Sequence, residues 1–279
     1  MPVKVVTDSV ADLPPQVVDE LGITVIPLNV RFGDKVFRDG IDLTTEQFYQ
    51  ELTRSKIFPV TSVPSPVTFA DAYDKLAEET DEILAIMLSS KLSATHEVAV
   101  QSIGLMKQPC RVEVIDSEHA VMAQGFLVMA AARAAQAGAK LDELIAMVRS
   151  NIPRVDMRAA FDTLEYLRRG GRIGAAQALL GAALRIHPLI TMKDGVVEPA
   201  GRARSRAKAM DHLYQFAADY KRIEEMAVEE AACPEDADLL TDRLGNLFPR
   251  ERIYRTKTTP VIGAHTGPGL LLVALMGDK

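Results

Sequence analysis

The chain has 279 residues, 48% of them hydrophobic and 25% charged, with a net charge of −6 at pH 7; this is typical of a globular protein with one large or two medium domains. The acidic balance argues against nucleic-acid binding, which requires a basic surface, and the absence of Trp argues against stacking platforms for bases. No apolar run reaches the roughly 20 residues of a membrane span, and the N-terminus lacks the pattern of a signal peptide.

Short β-branched runs alternate with helical patterns through the first half of the chain. Gly22 ends the first helical pattern, and Thr44 with Gln47 has the spacing of a capping box. This alternation predicts a mainly parallel sheet covered by helices on both faces, a three-layer α/β/α domain. We predict strands over 3–7, 24–30, 35–38, 82–88 and 111–115, and helices over 14–21, from Thr44, from Ser65, over 93–106 and over 118–137.

The second half has a different pattern, with adjacent strands and a hairpin signal at Lys193-Asp194-Gly195. It predicts an α+β domain, and we place the division between residues 1–150 and 151–279. We predict helices over 141–151, 161–169, 174–185, 205–221 and 236–248, and strands over 189–192, 196–200, 226–231, 253–256 and 269–276.

Hydroxyl side chains follow several predicted strands, where ligands bind in open α/β sheets. The loop from Ser89 to Thr95 is one such segment, and a further loop with Thr61 and Ser62 also carries hydroxyls. If Ser93 begins the next helix, free backbone N–H groups point at the same spot. Hydroxyls and N–H groups without a nearby Lys or Arg suit a carboxylate, but helix capping is an equally open interpretation for several of these residues.

The segment from Gly263 to Gly269 has three glycines and one proline around His265. Such a composition predicts a loop with tight turns and close ligand approach. A single His is more often structural than functional, but a loop position favours a functional role, such as donating to a carboxylate.

Two basic clusters stand out in this acidic chain. One is the glycine-containing turn that includes Arg172, and the other includes Arg202 and Arg204. A solvated helix face and a docking site for a phosphate or an acidic partner are both open interpretations. The chain contains no nucleophile elbow and no zincin motif. It also contains no glycine-rich nucleotide loop, so we expect any phosphoryl transfer to require a partner.

Six ordered landmarks resemble the DegV family of fatty-acid-binding proteins over essentially the whole chain. The landmarks are Thr7-Asp8-Ser9, the segment from Thr61 to Pro66, the segment from Ser89 to Thr95, Asp116-Ser117, Leu164-Glu165-Tyr166-Leu167 before Gly170-Gly171-Arg172-Ile173, and His265-x-Gly267-Pro268-Gly269.

The resemblance implies a two-domain α/β fold with a long-chain fatty acid, such as palmitate, stearate or oleate, in a tunnel between the domains and no other cofactor. It implies that Thr61 and Ser93 bind the carboxylate with His265 nearby. It also implies a separate ATP-dependent fatty acid kinase that phosphorylates the presented carboxylate. The remaining residues that we assign to the ligand are Ser62, Ala94, Thr266 and Gly267, and those assigned to partner docking are Arg172, Arg202 and Arg204.

Two positions depart from the family pattern. Val63 stands where the family usually has Gln, which removes a polar group near the head-group site. Ala94 stands where the family usually has Gly, which adds a methyl group where the backbone approaches the ligand.

Two rival interpretations remain. One is a serine-dependent acyl hydrolase with Ser93 as nucleophile, His265 as base and Asp8 or Asp116 as the orienting group. The other is a partner-binding scaffold with a structural lipid. Since Cys110 and Cys233 are far apart and in no metal-ligand spacing, we expect reduced thiols in a cytoplasmic protein without a metal site. The resemblance to a carrier family implies no catalytic residues and at most transient membrane contact.

Overall fold

A computed structural model of the protein describes residues 2–180 and 186–279. No helix within this part of the chain is both long and apolar enough to cross a membrane. The strands are β1 (Lys4–Asp8), β2 (Thr24–Ile26), β3 (Asn29–Phe32), β4 (Lys35–Arg38), β5 (Val60–Ser62), β6 (Glu82–Met87), β7 (Arg111–Asp116), β8 (Val155–Ala160), β9 (His187–Lys193), β10 (Val196–Ala203), β11 (Arg222–Glu230), β12 (Ile253–Lys257) and β13 (Leu271–Asp278). The α-helices are α1 (Pro15–Leu21), α2 (Thr45–Arg54), α3 (Pro66–Ala77), α4 (Thr95–Ser102), α5 (Val121–Gln136), α6 (Leu141–Asn151), α7 (Glu165–Arg169), α8 (Arg206–Ala218), α9 (Pro234–Leu244) and α10 (Pro260–Thr266).

The first sheet is fully parallel, in the order β2-β1-β6-β7. Successive residues of β6 point to opposite faces, as a strand requires. Ile83 packs with Phe69 of α3 on one face, whereas Leu84 packs with Phe126 of α5 on the other. These contacts confirm the predicted three-layer α/β/α arrangement of the first half.

The second large sheet is mixed, in the order β10-β9-β8-β13-β11-β12, and only β11 and β12 pair in parallel. Helices α8 and α9 cover one face, and α5 packs against the other. Helix α5 also contacts β1 of the parallel sheet, which explains why it is apolar around most of its circumference. The α+β class of the second half is confirmed, whereas its boundary at residue 150 stays a prediction.

The segment predicted as one strand over 24–30 forms two strands in different sheets, so that prediction was wrong. Pro27 lies between β2 and β3 and has no N–H for a sheet ladder. Ser9 Oγ accepts the next N–H, from Leu28, at 3.1 Å. Strand β3 then pairs with β4 and with β5 to form a three-stranded antiparallel sheet.

Other elements differ from prediction in bounds or type. Strand β8 lies where no strand was predicted, and only Glu165–Arg169 of the predicted helix over 161–169 is α-helical. The helix predicted over 174–185 begins as a 3₁₀ helix at Gly174–Leu179, and residues 181–185 lie outside the described residues. The two predicted N-caps at Thr44 and Ser65 are confirmed by side-chain hydrogen bonds.

Candidate functional site

An apolar cavity of about 100 Å³ lies beyond the carboxyl ends of β1 and β6. Its wall combines residues that follow these strands with residues of β8, β9, α10 and β13, so both halves of the chain form it. This is where the strand-end rule for open α/β sheets places a ligand. Representative apolar lining residues are Val10, Leu88, Met157, Phe161, Ile190 and Leu272.

Five polar residues interrupt this apolar wall: Thr61, Ser93, Arg172, His265 and Thr266. The central contact joins Thr61 Oγ1 and His265 Nε2 at 2.8 Å. Thr61 lies on β5 rather than in the predicted loop, and the pairing of β5 with β3 fixes its position. The contact brings together two predicted site residues that are 204 positions apart in the sequence.

His265 lies in helix α10, so the prediction of a loop around it was wrong. The missing side chain of Gly170 allows a close approach, because a Cβ there would lie 2.3 Å from His265 Nδ1. That Nδ1 atom is buried and has no hydrogen-bond partner among the described residues. Burial, and secondarily the charge of Arg172, lowers the pKa of His265 to about 4. The imidazole is therefore neutral at pH 7 and offers one donor and one acceptor.

Ser93 does not begin the following helix. Helix α4 starts at Thr95, and its N-cap Ala94 makes no side-chain capping bond. Ser93 Oγ instead contacts Thr95 Oγ1 at 2.8 Å and accepts the Thr95 N–H at 3.3 Å. The hydroxyl of Ser93 still lines the cavity, whereas Ala94 is exposed and lies outside the cavity wall.

The other predicted ligand residues occupy three different environments. Thr266 lines the cavity, and its hydroxyl donates to Ile262 O at 3.0 Å within α10. Ser62 is exposed on β5 and lies outside the cavity wall. Gly267 is buried with a φ of 69°, and a Cβ there would lie 2.2 Å from the Tyr166 ring. Gly267 therefore provides close packing beside the site. Val63, which departs from the family pattern, packs against a separate apolar cluster.

Arg172 places a cation at the polar end of the cavity, formed with Thr61, Ser93 and His265. The expectation of hydroxyls without a nearby Lys or Arg was therefore wrong. Its Nε donates to Leu92 O at 3.0 Å and its Nη1 donates to Gly170 O at 2.7 Å. Arg172 is exposed and also lines the cavity, so the polar end lies close to the surface. Arg202 donates to Ala178 O at 2.9 Å, and Arg204 is exposed just beyond β10.

The tip of the β9–β10 hairpin covers the loop that leads to Ser93. Ser89 Oγ donates to Gly195 O at 2.7 Å, and Lys91 Nζ donates to Asp194 O at 2.7 Å. Gly195 has a φ of 78° and a Cβ there would lie 2.7 Å from Ser89 Oγ. The hairpin was predicted from its turn residues, but its contact with the first half was not.

The carboxylates required for a hydrolase triad are engaged elsewhere. Asp8 accepts N–H groups from Val10 and Leu88, and Asp116 accepts those of Ser90 and Glu118. Within the described residues nothing orients His265 through Nδ1, and Thr61 rather than Ser93 contacts its Nε2. This arrangement fits binding of a polar head group and does not activate a serine.

The whole chain matches one protein family. Residues 2–277 match the family described as "Uncharacterised protein, DegV family". The chain belongs to the DegV family. A DegV domain-containing protein of Streptomyces coelicolor, SCO2569, is 40% identical over 278 residues, covering 98% of each chain.

Two solved DegV structures share the fold at full length. A fatty-acid-binding DegV family protein from Thermus thermophilus superimposes with a TM-score of 0.91 at 34% identity, covering 99% of this chain and all of the other. DegV of Bacillus subtilis, described as a fatty acid binding protein, gives a TM-score of 0.90 at 29% identity with full coverage of both chains. The two-domain α/β fold class expected from the resemblance is thereby confirmed.

Proposed function

We propose that this DegV family protein binds a long-chain fatty acid, with the acyl chain in the apolar cavity and the carboxyl group at its polar end. The observation that carries the proposal is the contact between Thr61 and His265 at the end of an otherwise apolar wall. A cavity of this polarity fits an amphiphile with one small polar group. The fatty-acid binding described for the relatives from Thermus thermophilus and Bacillus subtilis supports the same ligand class.

The polar end supplies both charge and hydrogen bonds for a carboxylate. Arg172 provides a permanent cation and Ser93 a hydroxyl donor, and the neutral His265 can donate its Nε2–H to Thr61 Oγ1, which leaves the Thr61 hydroxyl proton for the carboxylate. A carboxylate that lies between these groups therefore accepts several hydrogen bonds at once. The head group therefore fixes the orientation of the ligand.

The acyl chain supplies most of the affinity. Each buried methylene contributes about 0.8 kcal/mol, so a chain of palmitate length outweighs the head group. The cavity of about 100 Å³ is narrow for such a chain. The ligand must therefore displace wall residues, and the unbranched side chains of Met157 and Met192 suit this adjustment.

The finer part of the proposal is that the protein presents the carboxylate to a separate ATP-dependent kinase. The chain has no nucleotide-binding loop of its own, and the polar end reaches the surface at Arg172. The exposed Arg202 and Arg204 supply positive charge for an acidic partner surface. In the kinase reaction a carboxylate oxygen would attack the γ-phosphorus of ATP, which forms the acyl phosphate and releases ADP.

Extraction and matched variants test the binding proposal. The purified protein is denatured and extracted, and mass spectrometry should find a stoichiometric fatty acid such as palmitate, stearate or oleate. Delipidated Thr61→Val should bind palmitate about tenfold more weakly, since one charge-assisted hydrogen bond is worth about 1.5–3 kcal/mol. The neighbouring Ser62→Ala should bind like the unaltered protein. Absence of any fatty acid together with no palmitate uptake would contradict the proposal.

The kinase part is tested separately with an added fatty acid kinase subunit and ATP. Arg202→Ala should bind palmitate normally but yield less acyl phosphate. If Thr61→Val leaves acyl-phosphate formation unchanged while Arg202→Ala abolishes it, the protein is a docking scaffold with a structural lipid.

A further inference from the structure

Two aromatic rings from different halves of the chain stack beside the head-group site. Phe58 lies just before β5 and Tyr166 lies in α7, and their ring centroids are 5.4 Å apart with an interplanar angle of 28°. The guanidinium of Arg169, also in α7, lies over the Phe58 ring at 5.2 Å from its centroid. Stacking and cation–π contacts of this kind are attractive, so α7 holds Phe58 through two side chains. Neither ring lines the apolar cavity, and the stack therefore lies outside its wall.

The Tyr166 ring also packs against the residue that ends α10. Gly267 is the C-cap of this helix and lies two positions after His265. A Cβ at Gly267 would lie 2.2 Å from Tyr166 Cδ2 and 2.4 Å from Cε2, so the ring fills the space that any other side chain at 267 would need. The end of α10 that carries the imidazole is therefore held against the Tyr166 ring.

Phe58 holds the other partner of the head-group contact. It lies three residues before Thr61, and the intervening Pro59 is buried and has a fixed φ. Thr61 then pairs with Val30 of β3, which sets the direction of β5. A Phe58 ring that is held on α7 therefore fixes where this short strand begins, and with it the position of the Thr61 hydroxyl.

The two atoms of the head-group contact thus belong to elements that meet on one ring. Helix α10 packs against both α7 and β5, and Tyr166 of α7 contacts the segments that flank His265 and Thr61. The Thr61 Oγ1 to His265 Nε2 distance is 2.8 Å, and a hydrogen bond is lost when the two atoms are more than about 3.5 Å apart. A shift of less than 1 Å between β5 and α10 is therefore enough to break the contact.

We propose that Tyr166 is a positioning residue for the head-group site: its ring packs against both Phe58 and Gly267 and so sets the distance between Thr61 and His265. The effect on the ligand rests on the proposed function. Loss of the ring lets β5 and α10 move relative to each other, and the carboxyl group then meets a donor that is no longer aligned.

Palmitate affinity of the delipidated full chain provides the first test. Tyr166→Leu keeps an apolar side chain but removes the ring, and affinity should fall about fivefold, the effect of one weakened hydrogen bond. Tyr166→Phe keeps the ring and should bind like the unaltered protein. If Tyr166→Phe loses as much affinity as Tyr166→Leu, or if neither loses any, the inference is overturned.

The matched control is Tyr220→Leu. Tyr220 is also half-buried and packs with Phe216 in a T-shaped pair at 5.7 Å, but both residues lie in the second half and outside the cavity wall. Tyr220→Leu should lower the urea midpoint without changing palmitate affinity. An equal loss of affinity in Tyr220→Leu would show that any lost aromatic packing has this effect, which contradicts a positioning role.

A double-mutant cycle with Thr61→Val separates positioning from a general loosening of the fold. If Tyr166 acts through the contact between Thr61 and His265, Tyr166→Leu should cause little further loss in a Thr61→Val protein, because the contact is already absent. Independent losses would instead multiply to about fiftyfold in the double variant, and this result would overturn the inference.

A second readout needs no ligand. A crystal structure of ligand-free Tyr166→Leu should show Thr61 Oγ1 and His265 Nε2 more than about 3.5 Å apart, whereas Tyr166→Phe should keep the contact. An unchanged distance in Tyr166→Leu would contradict the positioning role. If palmitate binds to none of these proteins, the proposed function fails, and this distance still decides the inference.

Discussion

The two ends of helix α10 solve the same electrostatic problem with opposite chemistry. At its start Asp12 accepts the Thr259 N–H, and burial raises the pKa of Asp12 and also that of the buried Glu229 on β11. At its end, burial lowers the pKa of His265 to about 4. In both places the interior favours the neutral form, which is a protonated acid at one end and a deprotonated imidazole at the other. Stability should therefore respond to pH in opposite directions at the two ends.

The largest expected effect is the opposite pH dependence of the two contributions to the free energy of unfolding. The pKa of His265 falls from 6.5 unfolded to about 4 folded, so its stabilisation is present above pH 6.5 and is lost as pH falls toward 4. The pKa of Glu229 rises from 4.5 to about 7, so its stabilisation is present below pH 4.5 and is lost as pH rises toward 7. For His265 this change corresponds to about 3 kcal/mol in the free energy of unfolding.

Urea unfolding between pH 4.5 and pH 7 measures this separation. His265→Gln should remove a contribution to the free energy of unfolding that increases with pH. The stability of this variant should therefore fall more steeply with pH than that of the unaltered protein. Glu229→Gln should remove one of the contributions that fall with pH, so its stability should fall less steeply with pH than that of the unaltered protein, because the buried acids Asp8, Asp12 and Asp39 also have raised pKa values. Equal slopes in the two variants would show that the two ends are not governed by burial of these groups.

A substitution in the middle of α10 should disturb both ends together. A Cβ at Gly263 would lie 2.5 Å from the Phe48 ring and 2.8 Å from the Tyr49 hydroxyl. Gly263→Ala should therefore lower the free energy of unfolding by about 2 kcal/mol through overpacking. Gly104→Ala is the control, because a Cβ at Gly104 meets nothing within 4 Å. Unfolding in urea checks the difference, and equal midpoints for the two variants would contradict it.

The smallest effect should be confined to the His265 end. A Cβ at Gly170 would press on His265 Nδ1, so Gly170→Ala should displace the imidazole from Thr61. We expect palmitate affinity to fall about fivefold, the loss of about 1 kcal/mol from one weakened hydrogen bond. The pH dependence of stability due to Glu229 should be retained. Titration with palmitate measures the first quantity, and an unchanged affinity would show that the contact does not bind the ligand.

Local sequence rules predicted those parts of the fold and site that depend on neighbouring residues. The capping box at Thr44, the hairpin around Asp194 and the hydroxyls after strands follow from turn and helix-end chemistry, and Thr61, Ser93 and His265 became candidate site residues from such local signals. Helix α10 was predicted as a loop because its glycines suggested turns, whereas Gly263 is required by the packing of Phe48 against the helix.

Contacts between distant segments were not predictable from the sequence. Arg172 was assigned to partner docking and not to the ligand site. Its position beside Leu92 depends on how the two halves meet, which the sequence does not reveal. Asp12 and Glu229 were not predicted to be notable, since neither lies in a motif and their burial depends on the fold. Buried titratable groups of this kind are visible only once their surroundings are known.

The hairpin contact over Ser89 and Lys91 has a kinetic consequence. Both hydrogen bonds run from side chains of this loop to carbonyl oxygens at the hairpin tip, so they can break while every strand pairing of β9 and β10 stays intact. Among the described residues these two are the hydrogen bonds between the loop and the hairpin tip, so separating the two segments breaks them together with the local packing. A fatty acid that leaves by this route would have its residence time, rather than its equilibrium affinity, set by how often those two bonds break together.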